Sequence, residues 1–458
     1  MTAQHDLEEQ ITAWRTFLGT RSAVAPRDVD ELETHLRDQI ADLQQAGLSS
    51  DEAFIVSVKR LGSMDELSRE FAREHSDRLW KQLVLGDTDA PQKRGASGLV
   101  LALVLGFTAA LAVKLPDLLG VDDPTFYLRN ASLLTLPFLA AYFAIRRRLG
   151  AAAIAVVVGV FAVVAVLLNV YPFAPDGGTE AFGTSPGATE ILAAVHAVVV
   201  LWLAVGIAYV GGQWRSSRTR MDFVRFTGEW FVYFVLIALG GGVLSALTIA
   251  VFSALGMDAS GFVGTWLVPC GAAGAVLVAA WLVEAKQAVI ENIAPVLTKV
   301  FTPLFTGLLL ALIVAAFVQR NLIDGQRDLL IIFDVVLLVV VALLLYAISA
   351  RDPQAPPSWF ERLQLVLVGS ALVVDALVLI AMLARIGAYG FSANKVASLG
   401  LNVILLVNLA WSAWLLLGFV RRTSTFERLE RWQTGYLPVY FVWAAIVVAV
   451  FPPLFGFV

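Results

Sequence analysis

Residues 363–385 read LQLVLVGSALVVDALVLIAMLAR. Before the closing Arg385, the stretch holds one ionisable side chain, Asp375. It is apolar all round a helix rather than along one stripe, which marks a buried or membrane helix. It is also long enough, since a bilayer core about 30 Å thick takes about 20 apolar helical residues. The run therefore predicts a membrane span. A charge inside a span is expensive, so Asp375, about 12 residues in and near the midplane, is a functional candidate by default.

Ten other runs share this character, near 97–115, 129–145, 150–171, 189–210, 225–254, 262–284, 298–319, 328–349, 396–420 and 436–453. The run at 225–254 is over-long, so it is tilted or begins as a cytosolic helix. Pro137, Pro269 and Pro303 fall within or at the start of spans, and Gly240-Gly241-Gly242 lies inside one. Such breakers fit ordinary kinks and close packing, or a broken helix lining a site. No internal repeat stands out, which weakens an analogy to transporters built from inverted repeats.

Composition narrows the function classes. The chain is 58% apolar and 15% charged, against about a quarter charged in soluble domains. An ordinary water-soluble enzyme is excluded. Of the charged residues, 30 fall in the first 95 positions and 40 in the remaining 363, so a charged N-terminal segment precedes a long apolar one. The single cysteine, Cys270, excludes an intramolecular disulfide framework, and the four scattered histidines offer no metal-ligand spacing. The opening Met1-Thr2-Ala3-Gln4-His5-Asp6 is polar and acidic, unlike a signal peptide. No basic block interleaves with aromatics, so nucleic acid is not an expected partner. HExxH, P-loop and GxGxxG patterns are absent from the sequence, and no catalytic site, metal or cofactor is expected.

Loop charge suggests an orientation, because Lys and Arg concentrate on the cytosolic side. With the N-terminus inside, the cytosolic loops hold Arg146-Arg147-Arg148, then Arg215, Arg218 and Arg220, then Lys286 and Lys299, Arg351 and Arg362, and Arg421, Arg422, Arg428 and Arg431. The opposite loops hold Asp117, Asp122, Asp123, Asp176, Glu180 and Asp258, with fewer basic residues. An odd number of spans then puts the C-terminus outside.

The N-terminal segment predicts helices near 5–18, 27–46, 50–61 and 64–77. Val29, Leu32, Leu36, Ile40 and Leu43 recur at helical spacing in the second. Ser49-Ser50-Asp51-Glu52 and Ser63-Met64-Asp65-Glu66 are capping boxes. The run Glu31-Leu32-Glu33-Thr34-His35-Leu36-Arg37-Asp38, the turn Ala46-Gly47-Leu48-Ser49 and the turn Lys59-Arg60-Leu61-Gly62-Ser63 resemble the permease-prefix (HAAS-type) helical domain. The resemblance covers about 28–75 and implies a regulatory module ahead of a permease-like membrane segment.

Over about 225–458 a second resemblance appears. It rests on Arg327-Asp328, Phe333-Asp334, Leu344-Leu345-Tyr346-Ala347-Ile348-Ser349-Ala350, Val374-Asp375-Ala376-Leu377, the stretch from Ala384 to Lys395, Glu430-Arg431-Trp432-Gln433-Thr434 and Phe451-Pro452-Pro453. This part resembles the domain-of-unknown-function 4153 family of bacterial polytopic proteins, which implies the bacterial plasma (inner) membrane and no particular reaction.

Five polar residues inside spans are candidates for binding a substrate or ion: Asp375, Asp334, Asn408, Asn402 and His196. Asp334 lies six residues into its span from the outer side, roughly 9 Å deep at about 1.5 Å per residue. A lone carboxyl at such depth binds and releases a proton or coordinates a cation; the bland alternative is packing glue held by Asn or Ser on adjacent helices. Glu229 and Glu284, near the cytosolic ends, are expected to pair with Arg225 or Lys286. Asn394-Lys395 reads as a helix start or an anion contact. The outward pair Asp122-Asp123 could hold a metal in a membrane glycosyltransferase.

The expectation is an all-α integral membrane protein of about 11 transmembrane helices, with a cytosolic helical bundle at 1–77, a linker at 78–96 and the membrane domain at 97–458. The leading function is a permease-like, ion- or proton-linked transporter of a small molecule or ion. The alternative is a membrane-embedded signalling or scaffold protein whose residues 28–75 engage a cytosolic partner.

Overall fold

The computed structural model describes residues 7–8, 11–12, 26–45, 49–50, 53–54, 57, 92–121, 123, 125–174, 179–180, 183–184, 186–285, 293–319, 327–351 and 355–458. The chain divides into two compact units, Met1–Gln92 and Lys93–Val458.

In the first unit, α1 (Pro26–Gln45) buries Leu36, Ile40 and Leu43 of the expected stripe, and Leu7, Ile11 and Ala53 are buried as well. On the exposed side, Arg37 donates to both oxygens of Glu8, at 2.7 and 2.8 Å, and to Glu33. The expected helix at 64–77 and its capping box lie outside the described residues.

The second unit is built from α2 (Gln92–Leu118), α3 (Phe126–Arg146), α4 (Ala151–Val170), α5 (Ala188–Tyr209), α6 (Ser217–Ala254), α7 (Ser260–Ala285), α8 (Ile293–Gln319), α9 (Arg327–Ser349), α10 (Trp359–Tyr389), α11 (Ala393–Val420) and α12 (Phe426–Ala449), closed by the short α13 (Phe451–Leu454). The described residues are helical apart from turns, connecting loops and a two-residue ladder pairing Thr179 with Thr184. Eleven helices, α2 to α12, are long and apolar enough to cross a membrane. Large apolar side chains stay on their outside: Phe107 is 73% exposed and Val170 71%. Such a surface belongs in hydrocarbon, where helices satisfy their own backbone. The protein is an all-α, multi-pass membrane protein that contacts the lipid bilayer.

Several helices start earlier than hydropathy suggests. α6 begins at Ser217, where the Ser216 hydroxyl accepts from the Thr219 N–H, so its charged first turns precede the apolar part. α10 begins at Trp359 behind a capping box: the Ser358 hydroxyl accepts from the Phe360 N–H at 3.1 Å, and Glu361 accepts from the Ser358 N–H at 2.6 Å. α12 begins at Phe426, ten residues ahead of the expected span start at 436. Gly390, at φ +70, ends α10 and turns the chain into α11.

Two buried cores form. The first gathers residues of α2 to α7 with Ala444 and Val448 of α12. The second gathers α8 to α12 with Met221 of α6. α6 and α12 thus serve both. Asn130 and Asn169 exchange reciprocal amide bonds of 3.0 and 2.8 Å between α3 and α4. At Gly400 of α11 the Trp443 ring of α12 packs directly on the backbone, where a Cβ would stand 2.0 Å from the ring.

Gly400→Leu should lower the thermal stability of the detergent-solubilised protein by about 1–3 kcal/mol, and adding Trp443→Ala should recover part of the loss. The Glu8 carboxyl is held below its ordinary value by the Arg37 hydrogen bond. Its contribution is therefore complete at neutral pH and fades as pH falls through that lowered value. Amide protection around residues 7–12 of the full chain should drop on acidification, and Glu8→Gln should remove that pH dependence.

Candidate functional site

In the second core, three helices bring together residues far apart in sequence. Asp334 on α9 is buried and accepts from Asn402 Nδ2 of α11 at 2.8 Å and from the Ser398 hydroxyl of the same helix. Ser398 and Asn402 share a helix face at i, i+4. Asn402 Nδ2 also donates to its own helix at Ser398 O, 2.9 Å away, and touches Met382 Sδ of α10 at 3.8 Å. Both backbone and carboxylate partners of this nitrogen only accept, so the amide cannot be turned over.

Asp375 on α10 completes the group. Met382 lies two turns beyond it on the same face, and long helical side chains lean back toward the N-terminus. The Met382–Asn402 contact therefore draws the Asp375 face of α10 against α11. Asp375 is fully buried and within electrostatic range of Asp334. Neither carboxyl oxygen of Asp375 has a hydrogen-bond partner, and neither does Asn402 Oδ1. Val374 and Val378 bury apolar surface on either side of it in the chain. An ionised carboxyl left this way loses its hydration with nothing in return.

The structure joins Asp334 to Asn402, leaves Asp375 within electrostatic range of Asp334, and separates the other two candidates. Asn408, two turns along α11 from Asn402, belongs to a different cluster. Its Oδ1 accepts from Gln433 Nε2 at 3.2 Å, its Nδ2 donates to Gln433 Oε1 at 3.3 Å, and Gln433 also donates to Ser412 at 2.6 Å. These groups are fully buried and satisfy one another, so they lock α11 to α12. His196 on α5 is partly buried with Nδ1 2.8 Å from its own helix at Leu192 O, and it has no hydrogen bond to either carboxyl group.

Several other charged residues singled out by the sequence are engaged. Glu284 takes Tyr142, Arg146 and Arg147 as donors, at 3.0, 3.3 and 2.9 Å; the expected Lys286 lies outside the described residues. Arg225 donates to Ser349 O. Lys395 donates to Gly390 O at 2.8 Å, covering the carbonyl end of the preceding helix α10. Asp123 is paired with Arg129, and its neighbour Asp122 lies outside the described residues. Among the described residues, no group of three or more His, Cys, Asp or Glu could hold a metal.

A cavity of about 560 Å³ was not anticipated from sequence. Arg147, Tyr209, Asp222, Arg225, Phe226 and Glu229 line it where α3 and α5 end and α6 begins. The charged run from Arg218 to Glu229 carried the signal, hidden because those residues were placed largely before the span.

No family model, no curated protein and no solved structure matches the chain.

Removing a donor from Asp334 and supplying one to Asp375 should have opposite effects on stability. In choline chloride buffer, Ser398→Ala should cost about 1–3 kcal/mol, while Asp375→Asn should melt no lower than the wild type. Melting curves of the solubilised protein check both.

Proposed function

We propose that the chain is a permease-like protein of the bacterial inner membrane that moves a small molecule or ion in an ion- or proton-linked cycle. Asp375 is the group that carries the ion, and Asp334, braced by Ser398 and Asn402, is its helper. The observation behind this reading is Asp375 itself: a fully buried carboxyl group, in the middle of a span, with both oxygens unpartnered. Packing glue does not need such a group, since glue is made of satisfied hydrogen bonds of the Asn408–Gln433 kind. Loop charge supports a cytosolic N-terminus and an outside C-terminus. The resemblances to the permease-prefix domain and to the domain-of-unknown-function 4153 family support a regulatory module over residues 28–75 and a permease-like remainder. That the first 92 residues form their own compact unit is in keeping with such a module.

Transport requires water to reach Asp375 in some state of the cycle. With Cys270→Ala and Asp375→Cys, a membrane-impermeant thiol reagent should label the protein, and the side from which it does so reports the open face. Labelling from neither side, in protein shown to be folded, would contradict the transport reading and favour a membrane signalling or scaffold protein.

A further inference from the structure

Three buried oxygens, Asp375 Oδ1 and Oδ2 on α10 and Asn402 Oδ1 on α11, are unpartnered, and all are acceptors. What is missing beside them is positive. A proton on Asp375 turns one oxygen into a donor and still leaves acceptors unmet. A cation held where α10 packs on α11 would supply the charge these acceptors lack, and the Asp334 carboxyl group is within electrostatic range of Asp375.

The donor set narrows the ion. Carboxylate and amide oxygens suit hard cations, and the absence of a His, Cys or acidic triad among the described residues argues against a transition metal. Mg²⁺ keeps several waters, which the fully buried Asp375 and the flanking Val374 and Val378 leave little room for, and Ca²⁺ takes about 6–8 oxygens. A small monovalent cation asks for fewer ligands and less charge. We propose that this contact is a sodium site, with Asp375 and Asn402 Oδ1 as ligands and Asp334 as the neighbouring fixed charge, and that protons compete with sodium for Asp375.

The roles within the site follow from its hydrogen bonds. Asp334 is bonded to donors from α11, so its charge is held in place. Asn402 uses its nitrogen on Asp334 and has its oxygen free for the ion, so one amide couples the two carboxyl groups. The charged or titratable groups around Asp375 are few. α9 presents Asp334, and α11 presents the neutral Ser398 and Asn402. α8, which also packs on α10, presents buried Thr298, Thr302 and Thr306, while its one described charged side chain, Lys299, is exposed. Sodium and a proton are therefore the alternative ways of neutralising Asp375.

This inference rests on the ion-linked reading, and its test separates the two. The full chain in lipid nanodiscs is assayed for ²²Na⁺ binding and, in parallel, for modification of Asp375 by the apolar carboxyl reagent dicyclohexylcarbodiimide. The expected result is saturable ²²Na⁺ binding that weakens on acidification, falls at least tenfold in Asp375→Asn and in Asn402→Leu, and protects Asp375 from the reagent. Modification that depends on pH, with neither ²²Na⁺ binding nor protection by NaCl, overturns the sodium site and leaves a proton-linked one. Neither binding nor modification, in protein that elutes as a folded species, overturns both. Ser398→Ala, which removes no ligand, should retain ²²Na⁺ binding; loss equal to that of Asn402→Leu would contradict the assignment of Asn402 Oδ1 as a ligand.

Discussion

Hydrocarbon offers no hydrogen-bond partner, and the polar groups of residues 93–458 are arranged under that constraint. Asn130 finds Asn169, Asn408 finds Gln433, Lys114 finds Asp117, and Glu284 collects Tyr142, Arg146 and Arg147. Each of these ties one helix to another or closes a helix end. Against this background, Asp375 is the one buried carboxyl group, among the described residues, in which both oxygens go unbonded. The same constraint that explains the satisfied groups makes this exception informative, because leaving it in place costs stability that a leucine would not.

The helices divide the work between two cores joined by α6 and α12. The acidic group lies within the second core, held by α9, α10 and α11. The mixed-charge cavity lies instead at helix ends, on α3, α5 and the first turns of α6. α6 links the two regions, because it contributes Phe223 and Phe226 to one core and Met221 to the other.

Much of the fold was legible in the sequence, since bilayer thickness imposes a length on each apolar run. All eleven spans match helices in the structure. The true starts of α6, α10 and α12 were not legible from hydropathy, because capping side chains and charged first turns extend a helix beyond its apolar part. That gap had a consequence at Asn408. Its partner Gln433 fell before the expected last span, so a satisfied structural pair read as a lone polar candidate. At the site, the residue types were legible and the contacts were not. Asp375, Asp334 and Asn402 stood out as polar groups at membrane depth, but helix rotation is not encoded in one chain's hydropathy. Ser398, a small hydroxyl four residues from Asn402, gave no signal of its own until Asp334 was seen opposite.

The central claim is that Asp375 exchanges a proton for a bound cation. Infrared difference spectroscopy of the protein in bilayers, with NaCl exchanged against choline chloride at constant pH, reads that carboxyl group directly. The account predicts a protonated-carboxyl stretch that is present in choline, lost on adding sodium, and absent from the Asp375→Asn spectrum. A carboxyl band that is indifferent to sodium and to proton concentration would contradict it.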